Sequence, residues 1–174
     1  MLERFYPDRE VDSAYEIDYK TYYGRGFRGI IFDIDNTLVP HGAPADERAE
    51  ALFKKLRETG FETLLLSNNK EPRVKSFAQS VGAKYIYKAG KPGRAGYERA
   101  MELMRTCPES TLFVGDQLFT DVWGAKKAKI LTILVKPIHP KEEIQIVLKR
   151  RLERIVLFFY HRSRKALRGA GGTK

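Results

Sequence analysis

The segment Ile-Ile-Phe-Asp-Ile-Asp-Asn-Thr-Leu, residues 30–38, constrains the fold more than any other part of the chain. Its apolar start is short enough to be a buried strand, and that strand ends in two carboxylates, Asp33 and Asp35. Because side chains alternate along an extended chain, both carboxylates point to the same side and Ile34 points to the other. Neighbouring carboxylates repel each other and lose hydration on burial. The segment therefore predicts a site that holds a divalent cation or performs proton chemistry.

Apolar runs alternate with helical patterns along the rest of the chain. Further strands are predicted at 62–66, 111–115 and 130–135, and helices at 45–59, 71–81, 93–105 and 120–128. This alternation of strands and helices predicts the α/β class, with an open parallel sheet and helices on both of its faces. Because ligands bind at the carboxyl ends of the strands in such sheets, polar residues just past those ends are candidates for a functional site.

Several polar residues lie at these strand ends or in the loops beyond them. They are Ser67, Asn68, Lys91, Asp116, Gln117 and Asp121. Some have an ordinary alternative role: Ser67 and Asn68 could cap the following helix, and Asp121 could be a first-turn helix acid. Lys91 is one of 32 basic residues and could be a solvated charge. Their joint order, rather than any one residue, indicates a common site.

The order of these motifs resembles the haloacid dehalogenase (HAD) superfamily over roughly residues 28–137. The motifs are Asp33-x-Asp35-x-Thr37, Ser67, Lys91 and Gly115-Asp116 followed by Asp121. The resemblance implies a HAD-like (Rossmannoid) parallel sheet flanked by helices. It also implies a phosphatase, because relatives that only transfer phosphate or cleave carbon–halogen bonds tend to lack an aspartate at the position of Asp35.

The resemblance further implies roles for individual residues. Asp33 is the expected nucleophile, which forms an aspartyl-phosphate, and Asp35 is the expected general acid and base. Mg²⁺ is the expected cofactor, and its expected ligands are Asp33, Asp116 and the backbone carbonyl of Asp35. The expected phosphate-binding residues are Ser67, Asn68 and Lys91. The expected supporting residues are Thr37, Gln117 and Asp121.

The spacing of the motifs leaves no room for a cap domain. Only 31 residues separate Asp35 from Ser67, and 23 separate Ser67 from Lys91. HAD enzymes that act on small metabolites commonly insert a cap domain in one of these gaps. A capless, open site is therefore expected, which suits a phosphate carried by a lipid, a protein, a nucleic-acid end or an oligosaccharide. Closure of the site by a neighbouring subunit is the alternative, so the oligomeric state is left open.

The C-terminal segment carries most of the net charge of +10. Residues 141–174 contain ten Lys or Arg and three acidic residues, a net +7, which leaves +3 for residues 1–140. After Pro140, residues 141–168 are predicted to form one helix. Its apolar stripe is predicted to consist of Ile144, Val147, Leu148, Leu152, Ile155, Phe158 and Phe159. This pattern resembles an interfacial anchor for anionic membranes. Packing on the sheet or on another chain, and binding to nucleic acid or the ribosome, are the alternatives.

We divide the chain into four parts on this basis. They are a tyrosine-rich extension (1–28), a HAD-like phosphatase core (29–137), a basic amphipathic helix (138–168) and a flexible tail (169–174). The one cysteine excludes an internal disulfide, and no window is apolar enough to span a bilayer. These features predict a reducing, cytoplasmic location, either without membrane contact or peripherally on the inner face of the membrane.

The tyrosine-rich start, the segment 26–37 and the capless spacing together resemble one branch of the superfamily. This is the YqeG-like branch of HAD subfamily IIIA, which is similar to the mitochondrial phosphatidylglycerophosphate phosphatases. The resemblance implies phosphatidylglycerophosphate as a candidate substrate. A soluble sugar phosphate or nucleotide is the alternative substrate. A HAD-fold binding module associated with nucleic acid or the ribosome is the alternative of a different class.

Overall fold

The computed structural model describes residues 2–139 and 144–170, and it describes residues 144–150 and 166–170 only as helical backbone. Six strands and six α-helices follow one another in this part of the chain. The strands are β1 (Arg9–Val11), β2 (Gly29–Phe32), β3 (Glu62–Leu66), β4 (Lys84–Ile86), β5 (Thr111–Gly115) and β6 (Leu131–Val135). The helices are α1 (Tyr19–Gly24), α2 (Glu47–Thr59), α3 (Glu71–Val81), α4 (Ala95–Met104), α5 (Trp123–Lys127) and α6 (Ile144–Ala170).

All six strands are parallel and form one sheet in the order β1-β6-β5-β2-β3-β4. This confirms the predicted α/β class and the predicted open parallel sheet. β1 was not predicted: it lies within the tyrosine-rich extension and pairs with β6, with Arg9 opposite Ile133. β2, which carries Asp33 at its end, lies in the middle of the sheet between β5 and β3.

The apolar runs of the strands are buried because helices cover both faces of the sheet. Along β2, Ile30 and Phe32 point into one core and Ile31 points into the other, as the alternation of a strand requires. The first core is formed with side chains of α2 and α3, including Phe53, Leu56, Val74 and Phe77. The second is formed with side chains of α4 and α5, including Tyr97, Ala100, Met101 and Ala125.

Local sequence signals set the bounds of α2. The helix begins after Asp46, whose carboxylate accepts a hydrogen bond from the backbone N–H of Ala49 at 2.8 Å. It ends at Thr59 and is followed by the capping residue Gly60, which has a φ of 104°. A Cβ at this position would lie 2.6 Å from the hydroxyl of Tyr23, so both conformation and space favour glycine.

The connections at the carboxyl edge of the sheet are short within residues 2–139. They comprise residues 33–46 after β2, 67–70 after β3, 87–94 after β4 and 116–122 after β5. The last connection contains a π-helical turn, Leu118–Val122, which continues directly into α5. None of these described connections contains a separate cap domain, in agreement with the predicted capless core.

Helix α6 packs on a third apolar cluster next to β6. The cluster contains Phe5, Leu118, Val122, Leu134 and Val156, with Tyr6, Phe119, Trp123 and Leu157 packed against it. The rings of Tyr6 and Tyr160 meet at 5.3 Å between centroids, and His161 Nε2 lies 2.7 Å from a carboxylate oxygen of Glu10. The helix therefore packs both against residues 5–10 and against the segment that follows β5.

The buried face of α6 differs from the predicted apolar stripe. Among the side chains described in this helix, those buried are Glu153, Val156 and Tyr160. Four residues of the predicted stripe, Leu152, Ile155, Phe158 and Phe159, are 45–60% exposed. The predicted helix start at 141 lies outside the described residues, as do residues 171–174 of the predicted tail. No helix in the described part of the chain is both long and apolar enough to cross a membrane.

Candidate active site

The topology of the sheet brings the acidic motifs together. Asp33 follows β2 directly, Asp116 follows β5 directly, and the two strands pair in register with Phe32 opposite Val114. The backbone N–H of Asp33 continues this pairing, since it donates to the carbonyl of Val114 at 2.9 Å. Because the strands are parallel and adjacent, the residues just past their ends lie side by side. Ser67 follows β3, the neighbour of β2 on its other side.

Three buried carboxylates form the centre of the site. Oxygens of Asp33, Asp116 and Asp121 all lie within 4.8 Å of one another. Carboxylate oxygens are the ligands that hard divalent cations prefer, and three such anions in a buried place require positive charge nearby. The donor set therefore fits a divalent metal ion. The cluster includes Asp121, for which a supporting role was predicted, whereas the side chain of Asp35 lies outside it.

Lys91 supplies one positive charge to this cluster. Its Nζ lies 2.6 Å from Oδ1 of Asp33 and 2.7 Å from Oδ1 of Asp121, and its side chain is 4% exposed. Burial alone would lower the pKa of Lys91, but the carboxylates of Asp121 and Asp33 outweigh this and raise that pKa above its ordinary value. Lys91 is therefore expected to carry its positive charge at neutral pH.

The environment of Asp33 makes its carboxyl group titrate near neutral pH. Burial raises the pKa of Asp33 to about 7, the positive charge of Lys91 opposes this rise, and the negative charge of Asp121 adds to it. A carboxyl group that gains and loses its proton in this range is unusual for aspartate and typical of functional sites.

Asp121 and Thr37 hold the segment that carries Asp116. Oδ2 of Asp121 accepts hydrogen bonds from the backbone N–H groups of Asp116 (3.2 Å) and Gln117 (3.1 Å). The hydroxyl of Thr37 donates to Oδ1 of Asp116 at 3.2 Å. The hydroxyl of Tyr97 donates to the backbone carbonyl of Asp121 at 3.2 Å. The side chain of Gln117 accepts from the hydroxyl of Thr120, and this hydrogen bond links two residues of the same segment.

Asp35 is held by three donors that lie outside the three-carboxylate cluster. Its carboxylate accepts from the backbone N–H of Gly42 (2.8 Å), from Nδ2 of Asn69 (2.5 Å) and from a guanidinium nitrogen of Arg73 (3.0 Å). Neither Asn69 nor Arg73 was predicted as a site residue. Asn69 could have been found from its place in the Ser-Asn-Asn sequence after β3, whereas nothing in the sequence distinguishes Arg73 from other surface arginines.

The side chain of Asn68 is bonded to the loop that carries Lys91. Its Oδ1 accepts from the backbone N–H of Lys91 at 2.8 Å, and its Nδ2 donates to the carbonyl of Lys91 at 3.1 Å. Both ends of the amide therefore orient the lysine backbone. The hydroxyl oxygen of Ser67 is buried at the end of β3 and accepts from the backbone N–H of Asn69 at 3.2 Å. The predicted binding of phosphate by these two residues stays a prediction.

Comparison of the sequence with known proteins shows which family it resembles. The family model described as haloacid dehalogenase-like hydrolase matches residues 42–129, half of the chain. A Bacillus subtilis (strain 168) protein described as "Probable phosphatase YqeG" is 37% identical over 159 residues, which cover 90% of this chain and 92% of that protein.

A second relative is a larger protein. The chloroplastic/mitochondrial phosphatidylglycerophosphate phosphatase 1 of Arabidopsis thaliana is 30% identical over 170 residues. The match covers 87% of this chain but only 47% of the Arabidopsis protein. Among solved structures, the 3-deoxy-D-manno-octulosonate 8-phosphate phosphatase of Yersinia pestis superposes with a TM-score of 0.55 at 15% identity. That superposition covers 75% of this chain and 76% of the other, and it supports the fold alone.

Proposed function

The chain belongs to the haloacid dehalogenase-like hydrolase family and is a phosphatase, and we propose that it hydrolyses phosphate monoesters through an aspartyl-phosphate on Asp33. The observation that carries this proposal is the buried contact of Asp33 with Lys91, beside Asp116 and Asp121 at the carboxyl edge of the sheet. Burial of a carboxylate is energetically costly. A buried cluster of carboxylates around Lys91 is therefore more consistent with a reactive site than with a structural one.

The first half of the reaction transfers the phosphoryl group to the enzyme. A carboxylate oxygen of Asp33 attacks phosphorus, and the bond from phosphorus to the ester oxygen breaks. Asp35 donates a proton to that oxygen as it leaves. Asp35 is suited to this role because it lies two residues beyond Asp33 and its side chain is 12% exposed. The ammonium group of Lys91 offsets the charge on the phosphoryl oxygens.

The second half releases phosphate. Asp35, now ionised, takes a proton from a water molecule, whose oxygen attacks the phosphorus of the aspartyl-phosphate. The bond from phosphorus to Asp33 breaks, so that inorganic phosphate leaves and the Asp33 carboxylate is regenerated. Ser67 and the backbone around Asn68 contribute donors to the phosphoryl oxygens in this proposal.

Mg²⁺ is the cofactor that we propose for this site. Asp33, Asp116 and the backbone carbonyl of Asp35 would hold it, with Asp121 supporting their arrangement. When bound, Mg²⁺ would reduce the repulsion between the anionic nucleophile and the phosphate dianion. This choice is supported by the all-oxygen donor set and by the family to which the chain belongs.

Binding of Mg²⁺ is expected to weaken as the pH falls below 7. The folded, metal-free protein has a raised Asp33 pKa of about 7, so below that pH the metal ion must displace a proton. The apparent association constant should then decrease by up to about tenfold for each pH unit. Isothermal titration calorimetry in buffers of different ionisation enthalpy should detect close to one proton released per Mg²⁺ at pH 6. At pH 8 the number released should be well below one.

The matched control for this measurement is Asp33→Asn, which has no proton to displace at this position. Its Mg²⁺ binding is expected to be weaker than that of the wild type but nearly independent of pH between 6 and 8. An equal Mg²⁺ affinity of the wild type at both pH values would contradict the assignment of Asp33 as a ligand that must be deprotonated.

We propose that the substrate is a membrane lipid phosphate, with phosphatidylglycerophosphate as the leading candidate. Three observations support this. The described connections at this edge of the sheet contain no cap domain that would restrict the site to small substrates. Two curated relatives are named phosphatidylglycerophosphate phosphatases. The exposed side of α6 presents four large apolar side chains together with arginines, a combination that suits the interface of an anionic membrane.

The exposed face of α6 is the proposed membrane contact. It consists of Leu152, Ile155, Phe158 and Phe159, with the exposed basic residues Arg151, Arg154, Arg162 and Lys165. At about 100° per residue these side chains lie mostly on the side opposite Glu153 and Tyr160, so membrane contact would leave the packing of the helix intact. The long stems of the arginines can lie along apolar surface while their charged ends reach lipid phosphates.

Loss of this face is expected to affect lipid substrates alone. We expect the double substitution Phe158→Ser and Phe159→Ser to lower phosphate release from phosphatidylglycerophosphate in anionic vesicles by about tenfold or more, since two apolar side chains no longer enter the membrane. Turnover of a soluble aryl phosphate should stay within about twofold of the wild-type value, because neither side chain touches the site.

The comparison of vesicles supplies the control for this experiment. Wild-type protein should sediment with anionic vesicles and much less with neutral ones. If the double variant loses activity on both substrates equally, or if sugar phosphates and nucleotides are hydrolysed faster than the lipid, the proposed lipid substrate would be wrong while the phosphatase assignment would stand.

A further inference from the structure

The backbone after β5 contains a run of buried N–H groups that need acceptors. The first turn of a helix leaves its N–H groups without partners in the helix itself, and a side chain of the preceding residue usually accepts from them. Here that preceding residue is Gln117, and its side chain makes no such hydrogen bond. The helical segment that begins at Leu118 therefore depends on an acceptor from elsewhere in the chain.

Glu153 supplies this acceptor from α6. Its Oε1 lies 2.8 Å from the backbone nitrogen of Leu118 and 3.4 Å from that of Phe119. The residue is 5% exposed, although glutamate is among the residues least often buried. Oδ2 of Asp121 accepts from the two preceding N–H groups, those of Asp116 and Gln117. Two carboxylates thus hold four consecutive N–H groups, and one of them reaches the segment from another helix.

We propose that Glu153 is a positioning residue that sets the metal affinity of the site by holding the segment that carries Asp116 and Asp121. This inference rests on the proposed function, because it assumes that the three-carboxylate cluster binds Mg²⁺. Glu153 lies outside the cluster formed by Asp33, Asp116 and Asp121. It holds the first turn of the Leu118–Val122 segment. In this conformation Asp116 lies at the carboxyl edge of the sheet and the side chain of Asp121 contacts Lys91.

The geometry makes this effect specific to Glu153 rather than common to all contacts of α6. Val156 is also buried in α6, but it packs on the apolar cluster through a side chain without polar atoms. Its truncation would weaken the docking of the helix and leave the acceptor for Leu118 and Phe119 in place. Glutamine at position 153 keeps a carbonyl oxygen that can accept from both N–H groups, whereas alanine removes the acceptor.

The test measures Mg²⁺ binding without substrate, by calorimetry, together with thermal unfolding of the same samples in EDTA. We expect Glu153→Ala to weaken Mg²⁺ binding by about tenfold or more, because the ligand-bearing segment becomes mobile. Glu153→Gln should recover most of that loss. Val156→Ala should lower the unfolding temperature by several degrees but change Mg²⁺ binding by no more than about twofold.

Three outcomes would overturn the inference. If Glu153→Ala and Val156→Ala weaken Mg²⁺ binding in proportion to their loss of thermal stability, Glu153 has only a structural role. If Glu153→Ala binds Mg²⁺ as the wild type does, the segment does not depend on it. If the wild-type protein itself does not bind Mg²⁺, both this inference and the proposed cofactor are wrong. If the wild type binds Mg²⁺ and Glu153→Ala binds it equally well, only the inference is wrong.

Discussion

Replacing Asp33 with asparagine is expected to abolish turnover, with a decrease in kcat on the order of 10⁴-fold on an aryl phosphate in the presence of Mg²⁺. The substituted amide cannot form the aspartyl-phosphate, and the substitution removes one anionic ligand from the proposed metal site. Asparagine has nearly the same shape as aspartate, and Lys91 keeps Asp121 as its second partner at 2.7 Å. The fold should therefore persist, and circular dichroism and the unfolding temperature should show this directly.

A second aspartate of the chain provides the matched control for that experiment. The carboxylate of Asp46 caps α2 and is exposed, and asparagine is an equally good cap. Asp46→Asn should retain kcat within about twofold. Equal activity of Asp33→Asn and Asp46→Asn would contradict the nucleophile assignment. It would favour instead the alternative in which the protein is a binding module with the same fold.

Replacing Lys91 with methionine is expected to have the largest effect on stability. The substitution keeps the length of the side chain but removes the ammonium group that contacts Asp33 and Asp121. Removal of one partner from a buried ion pair typically costs about 3–5 kcal/mol, because the remaining charges are buried without compensation. In urea unfolding without metal ions, the free energy of unfolding should fall by about that amount.

The loss of stability in Lys91→Met should depend on pH and on metal ions. Burial already raises the pKa of Asp33, and without the ammonium group that pKa should rise further. Because the folded state would then bind a proton more tightly than the unfolded state, the variant should be less destabilised at pH 6 than at pH 8. Mg²⁺ should restore more stability to this variant than to the wild type, since it replaces the missing positive charge.

An exposed ion pair elsewhere in the sheet is the control for Lys91→Met. Lys84 lies 2.6 Å from Glu62, but both side chains are about half exposed to solvent. Lys84→Met should change the free energy of unfolding by about 1 kcal/mol or less, as is usual for surface pairs. A loss of the same small size in Lys91→Met would show that the buried charges are compensated in some other way, and the electrostatic account of the site would be wrong.

The centre of the fold was predictable because its signals are local. Strands such as β2 and β5 are mostly apolar and buried along their whole length, and each ends in a polar motif whose position along the chain is visible in the sequence. Parallel pairing then brings Asp33 and Asp116 together without further information. β1 could not be predicted in the same way, since Arg9-Glu10-Val11 has no apolar run and becomes a strand only by pairing with β6.

The orientation of α6 shows a different limit of sequence patterns. A hydrophobic stripe predicts the buried face of a helix when burial of apolar area alone decides its rotation. α6 is instead rotated so that Glu153 accepts hydrogen bonds from a distant backbone segment and Tyr160 contacts Tyr6. In this rotation Phe158 and Phe159 are exposed to solvent. Partners such as Arg73 on Asp35 depend likewise on tertiary placement, which a motif does not encode.

The meeting of the two ends of the chain beside β6 has a consequence for how the protein is made. Asp8 bonds to Thr132 across 124 residues, and Glu10 contacts His161 across 151 residues. During translation, Leu118 leaves the ribosome 35 residues ahead of the glutamate that holds it. The central strands can assemble early, but this border of the molecule must wait until α6 has been synthesised, so a nascent chain would acquire its catalytic competence only after that helix has emerged.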